Sequence, residues 1–476
     1  MHFRNRHDTL VVICTVAGCA VAMGYGLAFG QGRLTLSLGL ISVLPPLTVA
    51  WAAARQKSLV VPFVLFAATY GGYNGLLLMR LACLNWSDYP YPIELTNAAI
   101  VKSGVLSALG AVGIVLAWLF RTDRGPLRPV DLTPQISGNA FRIGVVLFFA
   151  TLGLYWLQMH QMGGFVAVMS TERVERFQLM KDTFSIPYIP SICTTVGLLF
   201  VGSAGKKLPR RVAWLAFAFW AAVLGLQGDR GVILQVTMVV AAILGTMCPS
   251  LCRIRIATLA GAGLLIFVAL VFEQVRPFLA LAAAGGGDIA VLGEYAGHID
   301  LSRSIQPEKS ELGGPYLSVI ESASIPRQML LGKSYLEAIP MFLPRFLYPG
   351  RKSPDLSTEL AESVSFGDAY VMGWGYSPVA EAYRNFGIGG VPIVLAAWGT
   401  LFLWLGRMQS RGLWGLLASS TLLMEAVVVN RIDFRSIYIG TVFNLGVLLI
   451  AVGLTKALDA GGKPARWPIS NREKQQ

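Results

Sequence analysis

Apolar runs of about 17–24 residues, separated by short polar connections that carry lysine and arginine, set the pattern of the chain. They fall near 10–30, 34–54, 58–79, 98–120, 140–160, 187–204, 212–227, 231–248, 255–272, 386–406, 412–429 and 436–455. Hydrocarbon offers the backbone no hydrogen-bond partners, so runs of this length predict helices that cross a bilayer. The interruptions Pro45-Pro46 and Gly71-Gly72 do not end the pattern, because such residues are tolerated inside helix bundles. The first run follows Arg4 and Arg6 and looks like a signal sequence, but nothing after it resembles a cleavage site, so it is expected to stay as an anchor. One stretch breaks the rhythm. Residues 273–385 form a 113-residue segment that divides the chain into 1–272, 273–385 and 386–476. Within it, Tyr316–Ile325 and Ser334–Leu347 read as short amphipathic helices lying against a membrane surface. Loops of such length usually bind or gate something.

Composition turns this pattern into a class. Of 476 residues, 54% are hydrophobic and only 14% charged, against roughly 25% charged in soluble domains, and mean hydropathy is +0.59. The expectation is an all-α polytopic membrane protein with about twelve transmembrane helices and one large extracytoplasmic loop. Disordered, collagen-like and disulfide-scaffold classes are excluded.

The net charge of +13 does not point to nucleic acid, because no long Lys/Arg run or basic–aromatic stripe is present. Instead the charge sits in alternate connections: Arg55/Lys57, Arg121/Arg124/Arg128, Lys206/Lys207/Arg210/Arg211, Arg253/Arg255 and Arg407/Arg411, with Lys456, Lys463, Arg466, Arg472 and Lys474 in the tail. With Arg4, Arg6 and Arg142 that side collects 21 basic and five acidic residues. Both termini are therefore expected in the cytoplasm, where these charges meet anionic headgroups. Among six cysteines, Cys248 and Cys252 have the spacing of half a zinc site, but no further ligands cluster near them, and no metal is expected.

The other side carries the candidate chemistry. Arg173 and Arg176 stand one turn apart in STERVERFQ, Asp229 and Arg230 in the tight GDRG turn, Arg276 in EQVRPF and Arg384 in SPVAEAYRNFG. Arg431 and Arg435 flank Asp433 in NRIDFR and, four apart, would share a helical face. Positive charge is normally depleted on the outer side. Two readings fit these arginines. They snorkel or pair with Glu172, Glu175, Asp229, Asp433 and Glu425, or they grip an anion, for which the bidentate, permanently charged guanidinium is suited. An anion held at the outer interface points to a lipid-linked diphosphate.

Candidate bases are few. His2 and His7 fall on the cytoplasmic side, His160 ends the fifth run and His298 lies in the large loop. Pro378 would start a helix that places Glu381, Arg384 and Asn385 on one face, so Glu381 is either an ion-pair partner of Arg384 or a general base. Glu425 is the one acid well inside a run, with Arg431 as a ready partner. No outer-loop Asp-x-Asp, phosphate-cradling Gly-rich loop, zinc motif or serine nucleophile elbow occurs.

IPMFLPRFLYPGRKSP (339–354) followed by GYSPVAEAYRNFGIGG (375–390) resembles the oligosaccharide repeat-unit polymerases, the Wzy-type O-antigen and exopolysaccharide polymerases. GDRG and NRIDFRS are similar to the same family, so the resemblance covers roughly residues 140–455. One departure is Gly-Arg-Lys-Ser-Pro around Lys352, where many relatives run directly into Lys-Pro. The resemblance implies a bundle related to the glycosyltransferase C class in the bacterial inner (cytoplasmic) membrane. It implies undecaprenyl-diphosphate-linked oligosaccharides as donor and acceptor, a chain-length co-polymerase and a flippase as partners, and no cofactor. Glu381 and Arg276 form the catalytic expectation; Arg173, Arg176, Asp229, Arg230, Arg345, Tyr383, Arg384, Asn385, Arg431, Asp433 and Arg435 are the substrate-binding set. The chemistry fits: a diphosphate leaving group needs charge neutralisation, and a weakly nucleophilic hydroxyl needs a positioned base. An O-antigen ligase and a lipid-linked-sugar flippase or transporter are the alternatives, although the long loop and the lack of comparable halves argue against a transporter.

The one-sided Lys/Arg distribution predicts the orientation. A cysteine placed at Ser357 should react with an impermeant maleimide in spheroplasts, whereas one at Lys207 should not. The reverse labelling pattern would overturn the topology.

Overall fold

In the computed structural model the described residues are 6–54, 62–83, 96–120, 134–164, 168, 188–203, 207–227, 230–247, 314–343, 356, 359–360, 375–409 and 411–461. They form helices α1 (Arg6–Phe29), α2 (Gln31–Ala54), α3 (Pro62–Cys83), α4 (Asn97–Leu119), α5 (Pro134–Gln161), α6 (Tyr188–Gly202), α7 (Lys207–Gln227) and α8 (Arg230–Met247). After these come α9 (Gly314–Ser324), α10 (Lys333–Ala338) with a 3-10 turn over Ile339–Phe342, α11 (Pro378–Met408), α12 (Leu413–Thr421), α13 (Leu423–Val428) and α14 (Phe434–Gly461). Among the described residues there is no strand. Among the described residues, six helices are long and apolar enough to cross a membrane: Gln31–Ala54, Asn97–Leu119, Gly138–Gln161, Lys207–Gly225, Pro378–Met408 and Phe434–Leu458. The chain is an all-α membrane protein.

The hydropathy pattern locates these helices well, and the differences have physical causes. The run expected at 255–272 lies outside the described residues. The run expected at 386–406 belongs to a helix that begins at Pro378, where Ser377 caps by accepting from the Val379 amide at 3.2 Å. The run at 412–429 is divided at Leu422 into α12 and α13. A third difference concerns α9. Polar positions along it suggested a surface helix, yet every residue from Gly314 to Ala323 is buried. Its hydroxyls find partners inside the protein: Tyr316 meets Ser103 of α4 at 3.0 Å, and Ser318 receives the Ser377 amide at 2.9 Å. Beyond it, helix covers Lys333–Ala338 and the 3-10 turn Ile339–Phe342, with only Ser334, Ala338 and Met341 buried.

Two apolar clusters hold the bundle. One gathers Phe63, Phe66, Tyr70, Trp118 and Phe402 with Tyr316 and Val379 from around α9 and α11. The other gathers Val196, Phe200, Trp220, Val239, Leu417 and Leu448. α14 joins them, since Ile437 belongs to the first cluster and Leu448 and Ala451 to the second. Full burial of each such side chain contributes roughly 1.5–3 kcal/mol against water. In lipid the gain comes from close packing instead.

α11 is not one straight rod. Gly387 has φ 69° and ψ −163°, which separates a short leading helix from the long apolar part. The carbonyls of Arg384 and Asn385 lose their helical partners at this break, and the amides of Leu330 and Leu331 replace them at 2.9 and 3.0 Å. That region of backbone is essentially restricted to glycine. Gly387→Ala should therefore lower unfolding stability in detergent by about 1–3 kcal/mol. Gly389→Ala, in regular helix with open space around it, should be neutral or stabilising by up to about 1 kcal/mol. Equal melting of the two variants would show that the bend places no constraint on residue 387.

Candidate functional site

The leading turns of α11 carry the residues of the family-like motif. Their position is fixed from below. Gly375 (φ 77°) brings the backbone against the Arg431 carbonyl, where a β-carbon would clash, and the Tyr376 amide donates to that carbonyl at 2.6 Å. The Ser377 hydroxyl donates to Asn74 Oδ1 in α3 at 2.7 Å, and Asn430 Nδ2 donates to the Phe66 carbonyl and to Thr69 Oγ1. Two irregular segments, 375–377 and 429–433, are thus pinned to α3 inside the bundle.

Glu381 is 2% exposed, and both its oxygens are engaged. Oε1 accepts from the Ser334 hydroxyl at 2.7 Å, and Oε2 accepts from the Phe434 amide at 2.8 Å. Phe434 opens α14, so Glu381 satisfies one of the free amides at a helix N-terminus and lies at the positive end of its dipole. Asp433 adds a second carboxylate there and accepts from the Ser436 amide at 3.1 Å. Asn385 completes the arrangement by donating to Ser334 Oγ and to the Glu381 carbonyl, each at 2.8 Å.

Arg384 points elsewhere. Its Nη1 meets Glu359 Oε2 at 3.1 Å, and its Nε is buried without a partner. The same Glu359 oxygen receives Arg327 Nη1 at 3.1 Å, while Arg327 also pairs with Glu321. Close by, Lys102 Nζ donates to the Ala323 carbonyl at 3.1 Å and sits 5.1 Å from the centre of the Tyr383 ring. Tyr376 reaches the Ser322 hydroxyl at 3.4 Å. Among the described residues two arginines therefore share two carboxylates, and Lys102 lies near them on a carbonyl and an aromatic ring. Burial pushes the Glu321 carboxyl above its usual range, with Arg327 and Arg384 pulling it back. What the cluster can do chemically is hold an anion through guanidinium forks in a site largely shielded from water.

Of the expected site residues, the structure brings Glu381, Tyr383, Arg384 and Asn385 together on the short leading helix, with Asp433 and the Arg431 backbone beside them. It separates Glu381 from Arg384, so the expected ion pair between them is replaced by Glu381–Ser334/Phe434 and Arg384–Glu359. Arg431 and Arg435 do not share a helix, because α14 begins between them at Phe434 and Arg431 lies in the preceding turn. Glu425 is met by Asn444 Nδ2 at 3.4 Å. Arg173, Arg176, Asp229, Arg276 and Arg345 lie outside the described residues, as does His298, and Arg230 is placed only as the first residue of α8. Lys102, Glu321, Arg327 and Glu359 went unread in the sequence. A lysine at the fifth position of an otherwise uncharged apolar run (98–120) was a usable signal for the first. The other three come together only through tertiary packing.

No family model matches the chain, and neither a curated protein nor a solved structure is detectably similar to it.

The raised Glu321 carboxyl has a pH consequence. A folded-state value above the unfolded one favours the protonated group, so its stabilising contribution is full below about pH 4.3 and is lost as pH rises through the raised value. Glu321→Gln cannot titrate. Between pH 4 and 8 the melting temperature of the unmodified protein should therefore fall relative to that of the Gln variant. A constant gap between the two melting curves would contradict this.

Proposed function

We propose that this chain is a polymerase that joins undecaprenyl-diphosphate-linked oligosaccharide repeat units into O-antigen or exopolysaccharide. It would work at the outer face of the bacterial inner membrane through a metal-independent glycosyl transfer. The observation that carries the reading is that Arg327 and Arg384, from separate segments, meet on one Glu359 oxygen, with Lys102 of α4 nearby beside the Tyr383 ring. We place it in a twelve-span, glycosyltransferase C-related bundle with both termini cytoplasmic and residues 273–385 outside. A chain-length co-polymerase and a flippase would be its partners.

In this reading the arginines neutralise the leaving diphosphate. Arg276 acts at the reacting phosphate, and Arg173, Arg176, Arg230, Arg345, Arg384, Arg431 and Arg435, with Asp229, Tyr383, Asn385 and Asp433, hold diphosphate and glycan. The acceptor hydroxyl attacks the anomeric carbon of the donor, the bond from that carbon to the diphosphate oxygen breaks, and Glu381 takes the hydroxyl proton. Both Glu381 oxygens are engaged in the state described, so the acceptor hydroxyl would replace the Ser334 hydroxyl on Oε1.

A strain lacking the gene should cap its lipid with single repeat units. Free long polymer would indicate a ligase instead, and failure of export a flippase. In complementation, Arg276→Lys and Arg435→Lys should shorten the polymer and the Ala variants should do so further, while Arg303→Ala and Lys309→Ala leave it normal. Glu381→Gln keeps the Phe434 contact but removes the base, which is worth roughly 10²–10⁴-fold in rate, so long polymer should vanish at unchanged protein level. Normal polymer from Glu381→Gln would return that residue to a purely structural helix cap.

A further inference from the structure

The charge cluster is satisfied in a lopsided way. A single oxygen, Glu359 Oε2, takes both Arg327 Nη1 and Arg384 Nη1 at 3.1 Å. Exposure rises along the network, from Glu321 (1%) and Arg384 (8%) through Arg327 (26%) to Glu359 (37%). The carboxylate that neutralises the two guanidinium groups is thus the most accessible member, while a cation it neutralises is deep. Arg384 also keeps a buried Nε with no hydrogen-bond partner. Lys102 adds a third cation beside the Tyr383 ring.

We propose that Arg327 and Arg384 form a binding site for a phosphate or diphosphate group, with Glu359 as the resident counter-ion that the ligand displaces. A phosphate oxygen would occupy the place of Glu359 Oε2 between the two guanidinium groups, and the remaining oxygens would meet further N–H donors of Arg327, the more exposed of the two. Displacement frees Glu359 toward water, where its charge is solvated at little cost. With Glu359 in place the empty site does not leave bare buried arginines, and it takes up an anion by exchange. This rests on the polymerase reading only for the source of the phosphate, a lipid headgroup rather than free phosphate.

The test uses purified full-length protein in nanodiscs, with inorganic pyrophosphate as probe and calorimetry and thermal melting as readouts. Glu359→Gln keeps the size and removes the competing charge, so pyrophosphate should bind on the order of tenfold tighter, the factor that a charge-assisted hydrogen bond represents. The variant should melt below the unmodified protein in phosphate-free buffer, because its arginines lose their anion, and pyrophosphate should restore it. Adding Arg327→Gln, at the accessible end of the network, should abolish the gain. If Glu359→Gln melts early and pyrophosphate neither binds nor rescues it, the network is purely structural and the proposal fails. Unchanged affinity in Glu359→Gln would equally overturn it. Nanodiscs doped with a polyprenyl diphosphate separate the sources: competition with pyrophosphate identifies the lipid headgroup. Pyrophosphate binding without such competition overturns the lipid-donor clause and, with it, the polymerase reading, while the anion site stands.

Discussion

Backbone hydrogen bonding in an apolar surrounding is the constraint on which the rest of the structure depends. A helix satisfies itself, but each break in a helix inside a membrane bundle exposes amides and carbonyls that need protein partners. This chain has such breaks close together, and they satisfy one another. The carbonyls freed at Gly387 are taken by the amides of Leu330 and Leu331, the Tyr376 amide finds the Arg431 carbonyl, and the first amide of α14 finds Glu381. Segments far apart in sequence are therefore locked to one another by main-chain chemistry. The side chains of the candidate site inherit their positions from that lock.

This explains what could and could not be read from the sequence. Hydropathy reports burial averaged over about 20 residues, so the positions of α2 to α8, α11 and α14 were legible but some of their ends were not: α11 starts at Pro378, ahead of the run expected at 386–406. Pro378 after a serine was a local start signal, and α11 does begin there. Pairing was not legible. Spacing of three suggested that Glu381 and Arg384 meet, but spacing says only that two residues lie near one face. Each found a better-placed partner on another element, one of them an amide that no side-chain pattern reveals. The α9 reading failed for a related reason. Its Tyr316 and Ser318 look outward-facing in a polarity pattern, yet they answer Ser103 and the Ser377 amide inside the protein.

An aromatic chain gives the site its depth. Tyr335 stacks on Phe386 at 5.9 Å and meets Phe434 at 5.0 Å; Phe434 meets Trp398, Trp398 stacks on Phe402, and Phe402 packs on Phe66 near the start of α3. The Glu381–Phe434 contact lies on this chain, about three turns of α11 from Phe386 to Trp398. Glu381 is buried there against Ser334 and Phe434, so its carboxylate has little access to water.

The two charged groups on the short leading helix consequently live under different rules. Glu381 is enclosed, its charge offset by a hydroxyl, an amide and a helix dipole, so any chemistry it performs requires a partner to enter and displace one of those donors. Arg384 is the deeper of two arginines that meet on one oxygen of the exposed Glu359. An anion that takes the place of Glu359 is held more strongly the deeper it lies, because the same pair of charges interacts more strongly where water is scarcer. Arginine suits the inner position better than lysine, since its weakly hydrated planar fork loses less on leaving water and keeps its direction when one partner is exchanged for another. One turn of helix thus carries a guarded carboxylate and a buried cation whose partner carboxylate is exposed, and the bend at Gly387 lies just beyond both.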